Sequence, residues 1–266
     1  MMLKKMCLLS AVVLFGCSGE DIDADGADLA EVNAEIVENL LAADYPRSEI
    51  AIREDGAVIV GGDAVVSLEA SREMIGIADH DDSEVQFRQY RTNNLVGANI
   101  AKICIDGSAT SGIISQALDA AIANYTNLSL SFDMVRTNGA DAGCDAEIVV
   151  AIKGQAGGQS GFPAGGLPYG SLQVGKATAS YGLAVVTHVL THELGHTVGF
   201  RHSDYYNRTI SCGTGGNEGD GGVGAVLIQG TPSTAVLDGS VMNACFNQKS
   251  TGKWTNSDLT AINALY

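Results

Sequence analysis

The stretch His188–His202, read HVLTHELGHTVGFRH, constrains this chain more than any other. His192 and His196 stand four apart, and Glu193 follows the first. On a helix, positions i and i+4 lie about 40° apart around the axis and one turn along it. Both imidazoles can therefore reach one ion at ~2.0–2.1 Å. Glu193 then stands where a general base for an attacking water belongs. Gly199 comes three residues after His196, where the chain must turn sharply, and glycine reaches positive φ at little cost. His202 arrives after that turn as a third ligand. Three histidines leave one position open for water, whereas structural zinc sites close with four protein ligands. The expected cofactor is one catalytic Zn2+. His188 is also four residues from His192, but it lies ~12 Å along the axis from His196, so the two cannot share an ion. The pair His188/His192 has Val189 where the base should be and leaves Gly199 and His202 without a role. His188 is therefore expected to be a neighbour on the helix, either packed or lining the cleft.

The rest of the chain must build a domain around that helix. Its 266 residues are 45% hydrophobic and 17% charged, enough for a real core. A formal charge of −16 argues against a nucleic-acid partner and suits solubility. Lys4 and Lys5 precede the apolar run Met6–Phe15, which is too short to span a bilayer and suits a signal peptide over residues 1–16. The following Leu14-Phe15-Gly16-Cys17 resembles a bacterial lipoprotein cleavage site, with Cys17 lipidated after processing. The expectation is an exported lipoprotein of the outer membrane or cell surface, touching membrane only through its anchor. An ordinary secreted protein is the other reading. Four cysteines then remain, Cys104, Cys144, Cys212 and Cys245, an even number that suggests two disulfides in an exported protein. Three pairings are possible. Cys104–Cys144 with Cys212–Cys245 is the expected one, because each bridge closes within one half of the folded unit.

Hydrophobic periodicity predicts a helix over 28–43, then a hairpin around Glu54-Asp55-Gly56. Residues 69–95 are polar and mixed and read as a linker. Strands follow at 99–105, 129–135, 146–152 and 171–175, with helices at 112–128 and 182–197 and another closing the chain. Residues 154–170 read as one long glycine-rich loop. Strands alternating with helices indicate an α+β fold, a mixed α/β/α sandwich.

HExxHxxGxxH resembles the zinc motif of the metzincin clan. GSVMNACF, residues 239–246, puts Met242 forty residues after His202, where that clan has its Met-turn. HELGHTVGFRHSDY, SCG, GAVLIQGTPS and the upstream segments GFPAGGLPYG, QYRTNNLV and VIVGGDAVV resemble the bacterial dual-action HEIGH metallopeptidases, the group that includes myxobacterial protease B. The resemblance covers about 45–266. It implies a metzincin-like zincin: a twisted mixed sheet, an active-site helix, a Met-turn and a C-terminal helix. It implies a zinc metalloendopeptidase acting on protein or peptide substrates, with Glu193 catalytic and His192, His196 and His202 on the metal. Many metzincins carry a tyrosine two residues after the Met-turn methionine. Ala244 stands there in this chain, which leaves zinc itself, or Tyr205 or Tyr206, to assist at the carbonyl.

Residues 91–266 are expected to be the catalytic domain, working as a monomer. Residues 17–90 are expected to be an acidic tether and a propeptide or N-terminal subdomain, with Arg88 and Arg91 in a cleavable stretch and Asp63 a candidate zinc ligand in a latent form. Asp204 is a candidate acceptor for a ligand imidazole. Substrate is expected to pair with an edge strand near 170–175, and 221–232 to shape specificity. Calcium is possible in the acidic loop GTGGNEGDGG, but its spacing matches no EF-hand, so no calcium ligands are assigned. Two rival readings stand beside peptidase activity: a non-catalytic zinc-containing adhesin or binding lipoprotein, and a zinc hydrolase of a non-peptide amide. Glu193 argues against the first, because a purely structural site needs no base.

Overall fold

Two apolar clusters organise the chain, and one sheet runs through both. The structure, a computed structural model, describes residues 23–75, 89–141, 143–219, 224–232 and 234–266. The signal peptide, Cys17 and Arg88 lie outside the described residues, as does part of 221–232.

The first cluster belongs to an N-terminal unit of helix α1 (Asp23–Ala42), strands β1 (Ile50–Ile52), β2 (Val58–Val60) and β3 (Ala64–Val65), and helix α2 (Leu68–Ile75). Ile36 and Leu40, one turn apart on α1, meet Val58 and Val60 of β2 and Ala70 and Met74 of α2. The β1–β2 connection turns at Gly56, with φ +82. Helix α2 occupies the start of the segment read as a linker. Ser67 caps it by accepting from the Ala70 amide at 3.1 Å.

The second unit contains β4 (Tyr90–Arg91), β5 (Lys102–Asp106), α3 (Gly112–Thr126), β6 (Asp133–Thr137), β7 (Ala146–Lys153), β8 (Gly158–Gly161), β9 (Ser171–Gly175), α4 (Leu183–Thr197), α5 (Thr209–Cys212), β10 (Val226–Leu227) and α6 (Asn256–Leu265). Together with the N-terminal unit it makes a mixed α+β fold. The sheet runs β1-β2-β3-β8-β9-β7-β5-β6. Strands β9, β7, β5 and β6 are mutually parallel, and β8 is antiparallel to β9. Strand β3 then adds to β8 in parallel, pairing Ala64 with Ser160 and Val65 with Gly161.

Three expectations change. Strand β8 lies inside the segment read as a glycine-rich loop. Strand β9 is interior, flanked by β8 and β7, so it offers no free edge. The strand expected from 129 begins at Asp133, because Leu130 and Phe132 pack on the core ahead of the ladder. Helices α3 and α4 pack together over the sheet, and α4 lies against β8 and β9. Disulfides join Cys104 to Cys144 and Cys212 to Cys245, as an oxidising compartment outside the cytoplasm maintains. Among the described residues no helix is long and apolar enough to cross a membrane.

Helix α6 is fastened by a capping box between Thr255 and Asp258. The same buried carboxylate accepts from Ser240 Oγ at 2.6 Å, Gln89 Nε2 at 2.8 Å and the Val241 amide at 3.0 Å. Among the described residues of the second unit, Gln89 is the first to join this network. Replacing Asp258 by Ala strands these buried donors and is expected to cost about 3 kcal/mol, measured as a lower urea midpoint at unchanged m-value. An unshifted midpoint would contradict this account of the network.

Candidate metal centre

Helix α4 is almost wholly buried from Val185 to Thr197, so its histidines keep fixed directions. It ends at Thr197, and the chain turns two residues later at Gly199, whose φ is +103. A Cβ there would lie 2.6 Å from the Asn94 carbonyl oxygen, so the turn needs glycine for both conformation and space. Residues around β4 catch the returning chain: the Thr92 amide donates to Gly199 O at 2.9 Å, and the Arg201 amide to Tyr90 O at 2.8 Å. His202 is thereby carried back over the helix end.

Each of the three imidazoles is held from behind through Nδ1. His192 Nδ1 is 2.8 Å from Val241 O, His196 Nδ1 is 2.7 Å from Phe200 O, and His202 Nδ1 is 2.6 Å from Glu218 Oε1. Carbonyl and carboxylate oxygens only accept, so Nδ1 carries a proton in each ring and Nε2 is the nitrogen left to face a metal. The three Nε2 atoms converge. The Nε2 atoms of His192 and His196 are buried without a hydrogen-bond partner. The donor atoms of His192, His196, His202 and Asp63 all lie within 4.8 Å of one another. Asp63 approaches the three rings at 3.6, 3.6 and 3.1 Å. Tetrahedral zinc with bonds of ~2.0–2.1 Å sets neighbouring donors about 3.3 Å apart. The donor set and its spacing fit one zinc ion, with three histidine ligands and Asp63 at the fourth corner.

Glu193 is buried at the same spot, and its Oε2 has no partner. It has room because residue 158 is glycine: a Cβ there would run into the Glu193 carboxylate. Beneath the helix, Met242 is buried in the turn Ser240–Asn243, with its amide donating to Ser240 Oγ at 2.9 Å. A Cβ on Gly195 would sit 2.6 Å from Met242 Sδ, so the helix rests on the thioether. The next residue back, Val241, supplies the carbonyl that holds His192.

A cavity of about 100 Å³ opens beside Glu193, lined in part by Gly158, His188, Val189, Ala244 and Phe246. His188 is thus a cleft-lining residue outside the ligand set. Asp204 does not reach an imidazole; it accepts from Ser211 Oγ at 2.6 Å and the Ala244 amide at 2.9 Å, tying α5 to the Met242 turn. Tyr205 packs edge-on against Tyr90, and Tyr206 Oη accepts from the Ala235 amide. Glu218 has no counterpart among the sequence expectations. It sits in a glycine-rich loop without periodicity, and no motif marks it.

Protein charges polarise the site. Burial pushes Asp63 up, but the charge on His202, the His202 Nε2 contact at 3.1 Å and the nearby His192 and His196 rings outweigh it and hold the carboxyl well below the usual range. Burial, then the Asp63 charge, drives Glu193 well above its ordinary value. Burial pushes His202 down, yet Asp63 and Glu218 together raise it well above normal. Burial and the neighbouring His192 push His196 down to about 3.

A family model described as dual-action HEIGH metallo-peptidase matches residues 58–266. Among solved structures the chain is similar to myroilysin, at 11% identity and a TM-score of 0.42, covering 65% of this chain and 95% of that one. It is also similar to high choriolytic enzyme 1, a hatching-enzyme zinc protease of the medaka fish Oryzias latipes, at 17% identity and a TM-score of 0.38, covering 71% and 98%. Likeness at that level carries no weight for the chemistry. No curated protein matches the chain.

Burial and the His192 charge push His188 down to about 3 from an ordinary 6.5. The unfolded chain therefore takes up this proton below pH 6.5 while the folded chain does not. Stability falls as pH drops from 6.5 towards 3, by on the order of 4 kcal/mol from this group. In metal-free protein, His188→Gln should flatten that acid limb of the urea midpoint against pH. Equal slopes in both proteins would refute the assignment.

Proposed function

The chain belongs to the dual-action HEIGH metallopeptidase family, and from that premise we propose that it is a zinc endopeptidase cleaving proteins outside the cytoplasm, with Glu193 as general base. One observation carries the reading. The unpartnered Nε2 of His192 and Oε2 of Glu193 belong to residues that line one small cavity, and the unpartnered Nε2 of His196 lies in the same metal cluster. A purely structural zinc site has no use for that carboxylate.

Zinc, when bound, supplies Lewis acidity and lowers the pKa of water in the site towards ~7. The chain's residues do the rest. His192, His196 and His202 present Nε2 because their Nδ1 protons are committed to Val241, Phe200 and Glu218. Glu193 takes a proton from the attacking water at Oε2. The same carboxyl then hands that proton to the leaving amine. Met242, read as a Met-turn residue, supports the helix under the ligands. Substrate backbone would pair with β8, which becomes the sheet edge once β3 is withdrawn.

That condition leads to the N-terminal unit. Its Asp63 stands at the fourth corner of the metal site and its β3 covers β8. It also has a core of its own. These features support reading it as a propeptide that keeps the enzyme latent, with separation before Gln89. Export through residues 1–16 and lipidation at Cys17 rest on the sequence alone, as do a monomeric state and the absence of a nucleic-acid partner.

Glu193→Ala should retain one zinc per chain and lose at least about 10³-fold in casein cleavage. Undiminished cleavage would sink the proposal, and a wild type inactive in both full-length and N-terminally processed form would favour the adhesin reading. Asp63→Ala in the full-length chain should raise cleavage of a short peptide towards that of the processed enzyme. Unchanged activity with zinc still bound would mean that the N-terminal unit is a permanent subdomain.

A further inference from the structure

Two of the three zinc histidines are backed by main-chain carbonyls, and only His202 is backed by a carboxylate. We propose that Glu218 is a positioning residue for the metal, fixing His202 and making its Nε2 the strongest donor of the three. The inference rests on the reading of His192, His196 and His202 as zinc ligands, and its central contacts, to His202, Arg201 and Tyr205, lie within the second unit.

Glu218 is 3% exposed, and both of its oxygens are committed. Oε1 meets His202 Nδ1 at 2.6 Å, and Oε2 meets Arg201 Nη2 at 3.2 Å. Arg208 Nε lies 3.7 Å from Oε1. The loop that carries it is pinned at both faces. The Glu218 amide donates to Tyr205 O at 2.7 Å, and its carbonyl accepts from Arg201 Nη2 at 3.2 Å. Arg201 is itself buried, lies 4.2 Å over the Tyr45 ring and donates to Gly224 O at 2.7 Å. From the other side, a Cβ on Gly61 would come within 2.9 Å of Glu218 Oε1, so the backbone of the N-terminal unit walls in the carboxylate.

This construction exceeds what burial of an arginine needs. One oxygen pairs with Arg201 Nη2, while the other is directed at the far nitrogen of a ligand ring. A carboxylate at Nδ1–H fixes the tautomer, locks the ring angle and pushes electron density towards Nε2, where a carbonyl does so more weakly. His202 also needs the help most. His192 and His196 are carried by one rigid helix, but His202 stands on the irregular chain beyond Gly199.

The test compares wild type with Glu218→Gln, which keeps shape and acceptor oxygen but removes the charge. Zinc affinity, measured by competition with a chromogenic chelator at one neutral pH, should fall roughly 10–100-fold. The visible absorption of the Co2+-substituted protein should shift. Glu218→Asp, which restores charge, should recover part of the affinity. A Glu218→Gln affinity within about twofold of wild type and an unchanged cobalt spectrum would overturn the proposal. So would an Asp variant no better than Gln, since charge would then be irrelevant. Should Glu218→Gln fail to fold, the wild-type zinc protein still decides. Its His202 Nδ1 proton should resonate downfield of those of His192 and His196, and three equivalent resonances would refute the role.

Discussion

Three imidazole lone pairs aimed at one point repel each other, and a protein that holds them so must hold each ring from behind. Much of this structure answers that demand. The three anchors come from different parts of the chain: Val241 beside the Met242 turn, Phe200 just past the helix end, and Glu218 in the loop that follows α5. The turn at Val241 is itself fastened to α6 through Asp258. Phe200 is fixed because its neighbours pair with β4. The C-terminal helix, the short β4 strand and the glycine-rich loop look unrelated in sequence, yet all three set the angle of a metal ligand.

The ligands themselves were legible because helical geometry is local. An i,i+4 pair, a base at i+1 and a glycine before the third histidine define positions without knowledge of the rest of the fold. The spacing also separated His188 from the ligand set, and the structure adds that His188 lines the cavity. What stayed hidden depends on contacts distant in sequence. Glu218 lies 16 residues beyond His202 on a loop without period, so only tertiary burial reveals it. Strand β8 is GQSG, with no apolar alternation, and exists because β9 and β3 pair on either side. Leu130 and Phe132 alternate like a strand but spend their apolar surface on core packing. Gln89 and Tyr90 lie in a polar run that reads as a linker, yet both are buried, Gln89 against Ser240 and Asp258 and Tyr90 against Tyr205 and Ala225.

The two apolar clusters share one sheet through a short parallel junction of β3 on β8. Its hydrogen bonds are few, and polar contacts reinforce it. Arg208 donates to Gly61 O at 2.6 Å and pairs with Glu49, joining the N-terminal unit to the chain just after His202. Arg201 is sandwiched between Tyr45 of one unit and Tyr205 of the other. The boundary between the units therefore runs directly past the metal ligands.

Glycine at 61, 158 and 195 has a common meaning. At each position the volume where a methyl group would sit is filled by another residue's working atoms: the Glu218 carboxylate, the Glu193 carboxylate and the Met242 sulfur. The backbone there acts as a mould, and the side chain it lacks is the shape of the one it receives. A centre cast this way extends its sequence requirements to positions that bind nothing and transfer no proton. An alanine at any of the three, the mildest of changes by composition, would press a methyl group into the metal site or its support.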